Sequence, residues 1–534
     1  MNEGLEDLGE RASLTDRLGR GLLARDLDDL HDTLKASSAA LLSDDPISST
    51  PKFIDYVARC MDLDWRLIQA VGEGISRFRI PDDLTLRDRV HLDIAEGLLH
   101  FHRSQHHEAS NCFQNAAVIA TRVPDDDLIS ISWYYFARTA WRKAEYQAAL
   151  RSAELARTHA SRAGFSRRVA LISILEGWLQ FLIGDFASAD KLVAGAENEV
   201  KESNDHVTKG DIESYKGRRA RAAGALDEAV RYFEDAIRDY SMFDREYRNV
   251  ARCHQSIAYV RHLQICRLRD EEADQRHVFS QSRKIHEDAV SHSLEAERIY
   301  SLHEDRTRRR RAKVLNDRAL LFLDIESFSK AAELAEGAYD LARIESMSGA
   351  DGPPKADWGD RVTMANSLII SCLVQLELDE NEKALAFAKQ ANELARTTEN
   401  RRVRARAAIC LGRVLVKIGS PVEASRLHSQ ASSLLDPEKR QKSIYDQLIR
   451  DHETLLREID GFKSDLGDPV IVMLRATEVR GIELSETLKR VETHVIRHIY
   501  EALNKNMEAT ASELGINHTR VRRAVGPARG KRIS

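Results

Sequence analysis

Apolar residues recur three and four positions apart over most of the chain, with charged residues between them, which is the spacing of amphipathic helices rather than strands. In Lys52–Phe78 the series Phe53, Val57, Cys60, Leu63, Leu67, Val71 keeps that spacing, and 14–78 reads as two or three helices. A longer rhythm lies over the helical one. A small residue is followed by Ala twelve positions later and by another Ala seven further on: Gly97, Ala109, Ala116, then Ala137, Ala149, Ala156. The frame continues through Gly177, Ala189, Ala196 and Gly217, Ala229, Ala236. It returns at Ala319, Ala331, Ala338, at Cys372, Ala384, Ala391 and at Gly412, Ala424, Ala431. The middle alanines of the first four units are 40 residues apart, as are those of the last two.

Such a frame predicts a helical hairpin. Twelve residues hold the end of one helix, a turn and the start of the next, and seven more place both alanines on one face. The turns fall at Gly184–Phe186, Gly224–Leu226 and Gly419–Pro421, where glycine suits a C-cap. Ala289 and Ala296 mark a degraded unit, with an insertion near Arg267–Ser280 separating its two helices. Ser346–Asp360 reads as a loop, and 438–461 as a polar helix capping the array.

Over Thr85–Asp436 this frame resembles the tetratricopeptide repeat, with Trp133, Phe136, Ala137, Tyr146, Ala149 and Ala156 in its aromatic and small places. Gly217, Gly224, Ala229, Phe233 and Ala236 fill them again. The family's usual period is about 34 residues, so a period of 40 means longer helices. The resemblance implies an all-α, TPR-like α-solenoid of about eight hairpins, which bury their apolar faces only by stacking. It also implies a groove lined by first helices, where partners dock. By position Tyr134, Arg138, Trp141, Trp178, Arg218 and Arg221 belong to that wall, and aromatics beside arginines suit a peptide, a protein segment or an anion.

Composition agrees with helices. The chain of 534 residues has ten prolines, none between Pro124 and Pro353, and 6% aromatics, too few turn-formers for a sheet protein of this length. Charged residues make up 31% and hydrophobic ones 43%, which excludes both a membrane-embedded and a broadly disordered chain. The start, MNEGLEDLGERA, is acidic and unlike a secretory signal, and the six cysteines form no C-x-x-C pair. A reducing, cytoplasmic setting is the expectation.

The pattern changes near the C-terminus. The expected divisions are 1–84 as cap or degenerate repeat, 85–436 as solenoid, 437–480 as capping helix and linker, and 481–534 as a separate module. Leu484, Leu488, Val491, Val495, Ile499 and Ala502 predict an amphipathic helix over Leu484–Leu503. After it, Ala511 allows a close helix crossing, Gly515 ends one helix and Asn517 caps the next, with Leu514, Ile516 and Val521 as a small core. This is a helix-turn-helix pattern.

Lys505-Asn506, Ala511 and Gly515-Ile516 stand in the register of the Fis-type helix-turn-helix, which this module resembles. The resemblance implies pairing through the Leu484–Leu503 helices, hence a homodimer on DNA. Charge fits: 480–516 holds five basic and six acidic residues, whereas 517–534 holds six basic and no acidic ones. Asn517, His518, Thr519, Arg520 and Arg523 are the candidates for base edges or adjacent phosphates, with Arg522, Arg529, Lys531 and Arg532 for phosphates.

No phosphate-binding G-x4-G-K-[S/T] loop, HExxH motif or local nucleophile–base set occurs, so neither a cofactor, a metal nor catalysis is expected. His100, His102, His106 and His107 gather around one turn without ligand spacing, and Arg306–Lys313 reads as a solvated helix end. The functional expectation is a DNA-binding transcriptional regulator whose repeats sense a peptide or protein. The alternative is an adaptor that binds protein alone.

Overall fold

The computed structural model describes residues 14–22, 27–42, 50–64, 67–78, 84–103, 105–143, 145–271, 275–302, 304–347, 358–398, 400–439, 447–466, 492–493, 495–497, 499–500, 503 and 506–525. Among them every regular element is helical. The N-terminal helices are α1 (14–22), α2 (Leu27–Leu42), α3 (Pro51–Arg59) and α4 (Leu67–Arg77). The pairs that follow are α5 (Leu86–His102) with α6 (His106–Ala120), α7 (Asp126–Arg142) with α8 (Tyr146–Arg162), and α9 (Ser166–Ile183) with α10 (Phe186–Val200). Next come α11 (His206–Ala222) with α12 (Leu226–Phe243), and α13 (Arg248–Glu271) with α14 (Gln275–Ser301). After α15 (Glu304–Asp324) and α16 (Phe328–Met347) stand α17 (Trp358–Glu377) with α18 (Asn381–Arg396) and α19 (Arg401–Lys417) with α20 (Pro421–Lys439). The last helices are α21 (Gln447–Leu466), α22 (Met507–Glu513) and α23 (His518–Val525). The chain is an all-α, TPR-like solenoid of about eight successive helix pairs.

The packing explains the frame. Its alanines at 109, 149, 189, 229, 289, 331, 384 and 424 are all fully buried. The small residue of the first helix lies under a side chain of the second, four positions after the alanine. A Cβ at Gly97 would stand 2.6 Å from the Phe113 ring, one at Gly217 2.9 Å from Phe233, and one at Gly177 2.8 Å from Val193. Five of the hairpin turns are also built alike. Gly184, Gly224, Glu326, Asp379 and Gly419 have φ of +95°, +81°, +61°, +58° and +79°. The next amide donates to the carbonyl five residues back, as in Asp185–Gln180 (2.9 Å), Ala225–Ala220 (3.0 Å), Ser327–Phe322 (2.9 Å), Glu380–Gln375 (2.9 Å) and Ser420–Leu415 (2.7 Å). These Schellman-type closures satisfy carbonyls that the helix end leaves open.

The array divides into two compact units, Met1–Ser327 and Phe328–Ser534 apart from 443–445, a division inside the 85–436 solenoid that the repeat spacing does not mark. In the second unit α21 places Leu448, Leu455 and Ile459 in the core with α19 and α20, so the expected cap is an amphipathic helix displaced toward the C-terminus. In the first unit two expectations change. Lys52–Phe78 is not one helix: a 3-10 turn over Cys60–Asp62 separates α3 from α4. The insertion near Arg267–Ser280, expected only to separate two helices, falls largely within them: α13 reaches Glu271 and α14 opens at Gln275, so they run to 24 and 27 residues, and its Arg and Gln are good helix formers. The loop expected over Ser346–Asp360 lies outside the described residues except for 346–347, which end α16, and 358–360, which open α17. The six cysteines are free thiols, with Cys60, Cys253, Cys372 and Cys410 buried. No helix among the described residues is long and apolar enough to cross a membrane.

Candidate functional site

First helices of the first unit lie side by side, which brings distant parts of the sequence to one inner wall. At one end of that wall Asp62 is presented by the 3-10 turn. Its carboxylate takes Arg138 of α7, with Nη2 at 2.9 Å, together with His102 Nε2 of α5 at 3.2 Å and Arg248 Nη2 of α13 at 3.4 Å. Tyr247 Oη donates to the Asp62 carbonyl at 3.4 Å. Burial alone would raise the pKa of Asp62, but the Arg138 charge, and then the close His102 and Arg138 contacts, outweigh it and hold the carboxyl well below the usual carboxylate range.

The wall residues expected from position meet different surroundings. Tyr134 is buried, and the Arg138 guanidinium sits 5.1 Å from the Phe101 ring and 5.5 Å from those of Tyr134 and Tyr135. Trp141 carries the Arg142 guanidinium at 4.8 Å. Trp178 packs edge-on against Phe181 and Tyr215 at 5.8 and 5.5 Å and carries Arg218 at 4.6 Å. Arg221 lies 5.5 Å from the Tyr259 ring centre.

Four further cations join this wall that positional reasoning missed: Arg142, Arg252, Arg310 and Lys313. The Arg142 guanidinium feels Arg310, Arg252, Arg138 and Arg248; Arg218 feels Arg252 and Arg221; Lys313 feels Arg218, Arg221 and Arg310. Burial first, and these like charges second, lower the proton affinity of Arg142 and Arg218 well below that of a free guanidinium. Arg142 itself is exposed, so part of this repulsion is screened by water. The run expected to be a solvated helix end thus turns Arg310 and Lys313 toward other cations, with Arg310 5.8 Å from the Tyr300 ring.

The clustered histidines around the first hairpin turn separate into distinct roles. His102 meets Asp62, His100 Nδ1 meets Gln105 Oε1 at 2.7 Å, and His106 packs against Phe101. A group invisible to local motifs does form: His262 and Cys266, one turn apart on α13, meet Asp324 at the end of α15, with donor atoms within 4.8 Å of one another. His262 Nδ1 is 2.6 Å from Asp324 Oδ2, and Cys266 Sγ is 3.7 Å from His262 Nε2. His, Cys and Asp are a fitting donor set for a divalent transition metal, although Arg269 Nη1 already stands 3.7 Å from Asp324 Oδ1. The i, i+4 pair was the visible signal; the carboxylate, from another helix, was not.

At the C-terminus, the Asn506 side chain caps α22 by accepting from the amides of Glu508 and Ala509. Gly515, at φ +60°, ends the turn, and the Asn517 side chain accepts from the Arg520 amide at 2.9 Å as α23 begins. Ala511, Val521 and Ala524 bury against Ile496, with Leu514 and Ile516 packed beside them. The remaining face of α23 carries Asn517, His518, Thr519, Arg520, Arg522 and Arg523, all exposed. Arg520 Nε pairs with Glu492 Oε1. Leu484, Leu488, Val491 and the basic residues Arg529, Lys531 and Arg532 lie outside the described residues.

No protein-family model matches the chain. No curated protein matches it either. Solved structures do, and they are TPR-type helical repeat proteins. A Rap protein complexed with competence and sporulation factor shares 12% identity over 73% of this chain and 98% of its own, with a TM-score of 0.44. The apo quorum sensor NprR from B. thuringiensis shares 13% over 80% and 99%, with a TM-score of 0.42. A STAND protein with a tetratricopeptide repeat sensor from Pyrococcus horikoshii shares 13% over 89% of this chain and 66% of its own, at 0.43.

Proposed function

We propose that the chain is a DNA-binding regulator of transcription whose repeat array docks a peptide or protein ligand. The observation that supports the DNA-binding half is the division of α23 into two faces. Val521 and Ala524 are buried, whereas His518, Thr519, Arg520, Arg522 and Arg523 are exposed. A capped helix held by two apolar residues, with a basic exposed face on which Arg520 alone has an ion-pair partner among the described residues, Glu492, is the form that enters a major groove. Arg523 and Arg520 are assigned to guanine edges or adjacent phosphates, and Arg522 to phosphate. One such helix binds weakly, so the active species is a homodimer with two half-sites one helical turn apart. Binding in the array would alter the pairing or orientation of the two modules.

The test is a gel shift with genomic fragments, comparing the full chain with one ending near Gly481. Retarded fragments for the full chain alone support the reading. Equal retardation by both chains removes the DNA assignment and leaves a protein-binding adaptor.

A further inference from the structure

The inner wall of the first unit is short of negative charge. Arg142, Arg218, Arg252 and Lys313 make no ion pair among the described residues, and the Arg218 Nε is buried without a hydrogen-bond partner. Asp62 is taken up by Arg138, His102 and Arg248. Asp317 lies within reach of Lys313, but its Oδ2 also accepts from Gln255 Nε2 at 2.6 Å. Arginine does not give up its proton in a protein, so the mutual repulsion persists as positive potential, which an anion relieves.

These cations come from α7, α11, α13 and α15, the first helices of four different hairpins, so their convergence belongs to the fold and not to one charged stretch. Their planes are fixed in advance. Arg142, Arg218 and Arg221 lie over Trp141, Trp178 and Tyr259, which reduces the side-chain freedom lost on binding. An extended acidic peptide presents same-side carboxylates only every 6.6 Å or so, one charge at a time. Directly linked phosphates concentrate their charge and accept the two parallel N–H groups of each guanidinium fork.

We propose that this wall binds a small molecule carrying a chain of phosphates, held among Arg142, Arg218, Arg221, Arg252, Arg310 and Lys313. The proposal rests on the reading of the array as ligand-binding and names the ligand's chemistry. Inorganic triphosphate and a nucleoside triphosphate share it; a base that stacks in the groove makes the nucleotide the tighter of the two.

Titration calorimetry on the full chain, at ionic strength matched with KCl, compares inorganic triphosphate, a nucleoside triphosphate and a hexa-aspartate peptide. The expected result is micromolar binding of at least one phosphate ligand and weaker binding of the peptide. Arg252→Gln and Lys313→Gln should each weaken the phosphate ligand about tenfold or more, as for loss of one charge-assisted contact. Because each also removes repulsion, the unliganded variants should melt at or above the wild-type temperature, whereas a merely structural cation would lower it. Peptide binding without phosphate binding overturns the phosphate assignment and leaves the docking reading standing. Phosphate binding that both variants leave unchanged overturns the proposal by placing the anion elsewhere, and binding of no probe overturns both readings.

Discussion

At Gly97 the first helix of a hairpin comes so close to the second that a methyl group would stand 2.6 Å from the Phe113 ring, which is itself fully buried. Gly97→Ala therefore destabilises the first unit by about 1–3 kcal/mol, the usual cost of overpacking, and urea unfolding measures it. A second prediction concerns His254, whose Nδ1 lies 2.7 Å from His292 Nδ1. Burial, and then the neighbouring His292, push its pKa down to about 4. Its folded pKa lies below the unfolded value near 6.5, so its contribution to stability is complete above about pH 6.5 and is lost as pH falls toward 4. Urea midpoints from pH 7 to pH 4 will fall less steeply in His254→Gln than in the wild type. The sequence does not pair His254 with His292, since they belong to different helices and only packing joins them.

At the scale of the element, two hairpin turns use a residue ill suited to them. Glu326 and Asp379 adopt left-handed backbone at φ +61° and +58°, where Gly184, Gly224 and Gly419 stand in other units. Asp379 has a compensation, since its Oδ1 accepts from Lys417 Nζ at 2.6 Å, whereas exposed Glu326 has none among the described residues. Glu326→Gly therefore stabilises by about 0.5–1 kcal/mol, the left-handed penalty of a side chain less the unfolded-state entropy of glycine, and thermal melting checks the sign. Hairpins were legible in the sequence because each crossing demands a small residue and each turn a left-handed one, and both demands recur at fixed spacing. The break at Cys60–Asp62 was not legible, since Cys60 and Leu63 keep helical spacing straight through it. The wall of cations was hidden for a different reason. Arg142 and Arg310 become neighbours only through the curvature that accumulates over four hairpins, and no local pattern encodes that sum.

Across the whole molecule, the basic face of α23 makes separable predictions. Arg522→Ala should weaken binding to all DNA sequences alike and reduce the salt slope by about one charge, whereas Arg523→Ala should cost about 1–3 kcal/mol and relax preference at one base pair. Fluorescence anisotropy with specific and scrambled duplexes at several salt concentrations distinguishes the two. Asn517→Ala removes the cap of α23 and lowers affinity through local helix stability, by about 1 kcal/mol. The phosphate-seeking wall and this face are both positive, yet they differ in kind. The wall gathers its cations from four helices, while the face is borne by a single short one.

Asp62 gives the first unit an unusual property for a stack of repeats. In an open stack each hairpin touches only its neighbours, so unfolding can begin at an end and spread inward by small steps. Here one carboxylate ties the N-terminal turn to α5, α7 and α13, and so joins the beginning of the stack to its fifth hairpin. The end that would fray first is fastened to the middle. Amide hydrogen exchange should therefore find α5 and α13 opening together in one cooperative step, and Asp62→Ala should separate that step into two, with the N-terminal hairpin exchanging first.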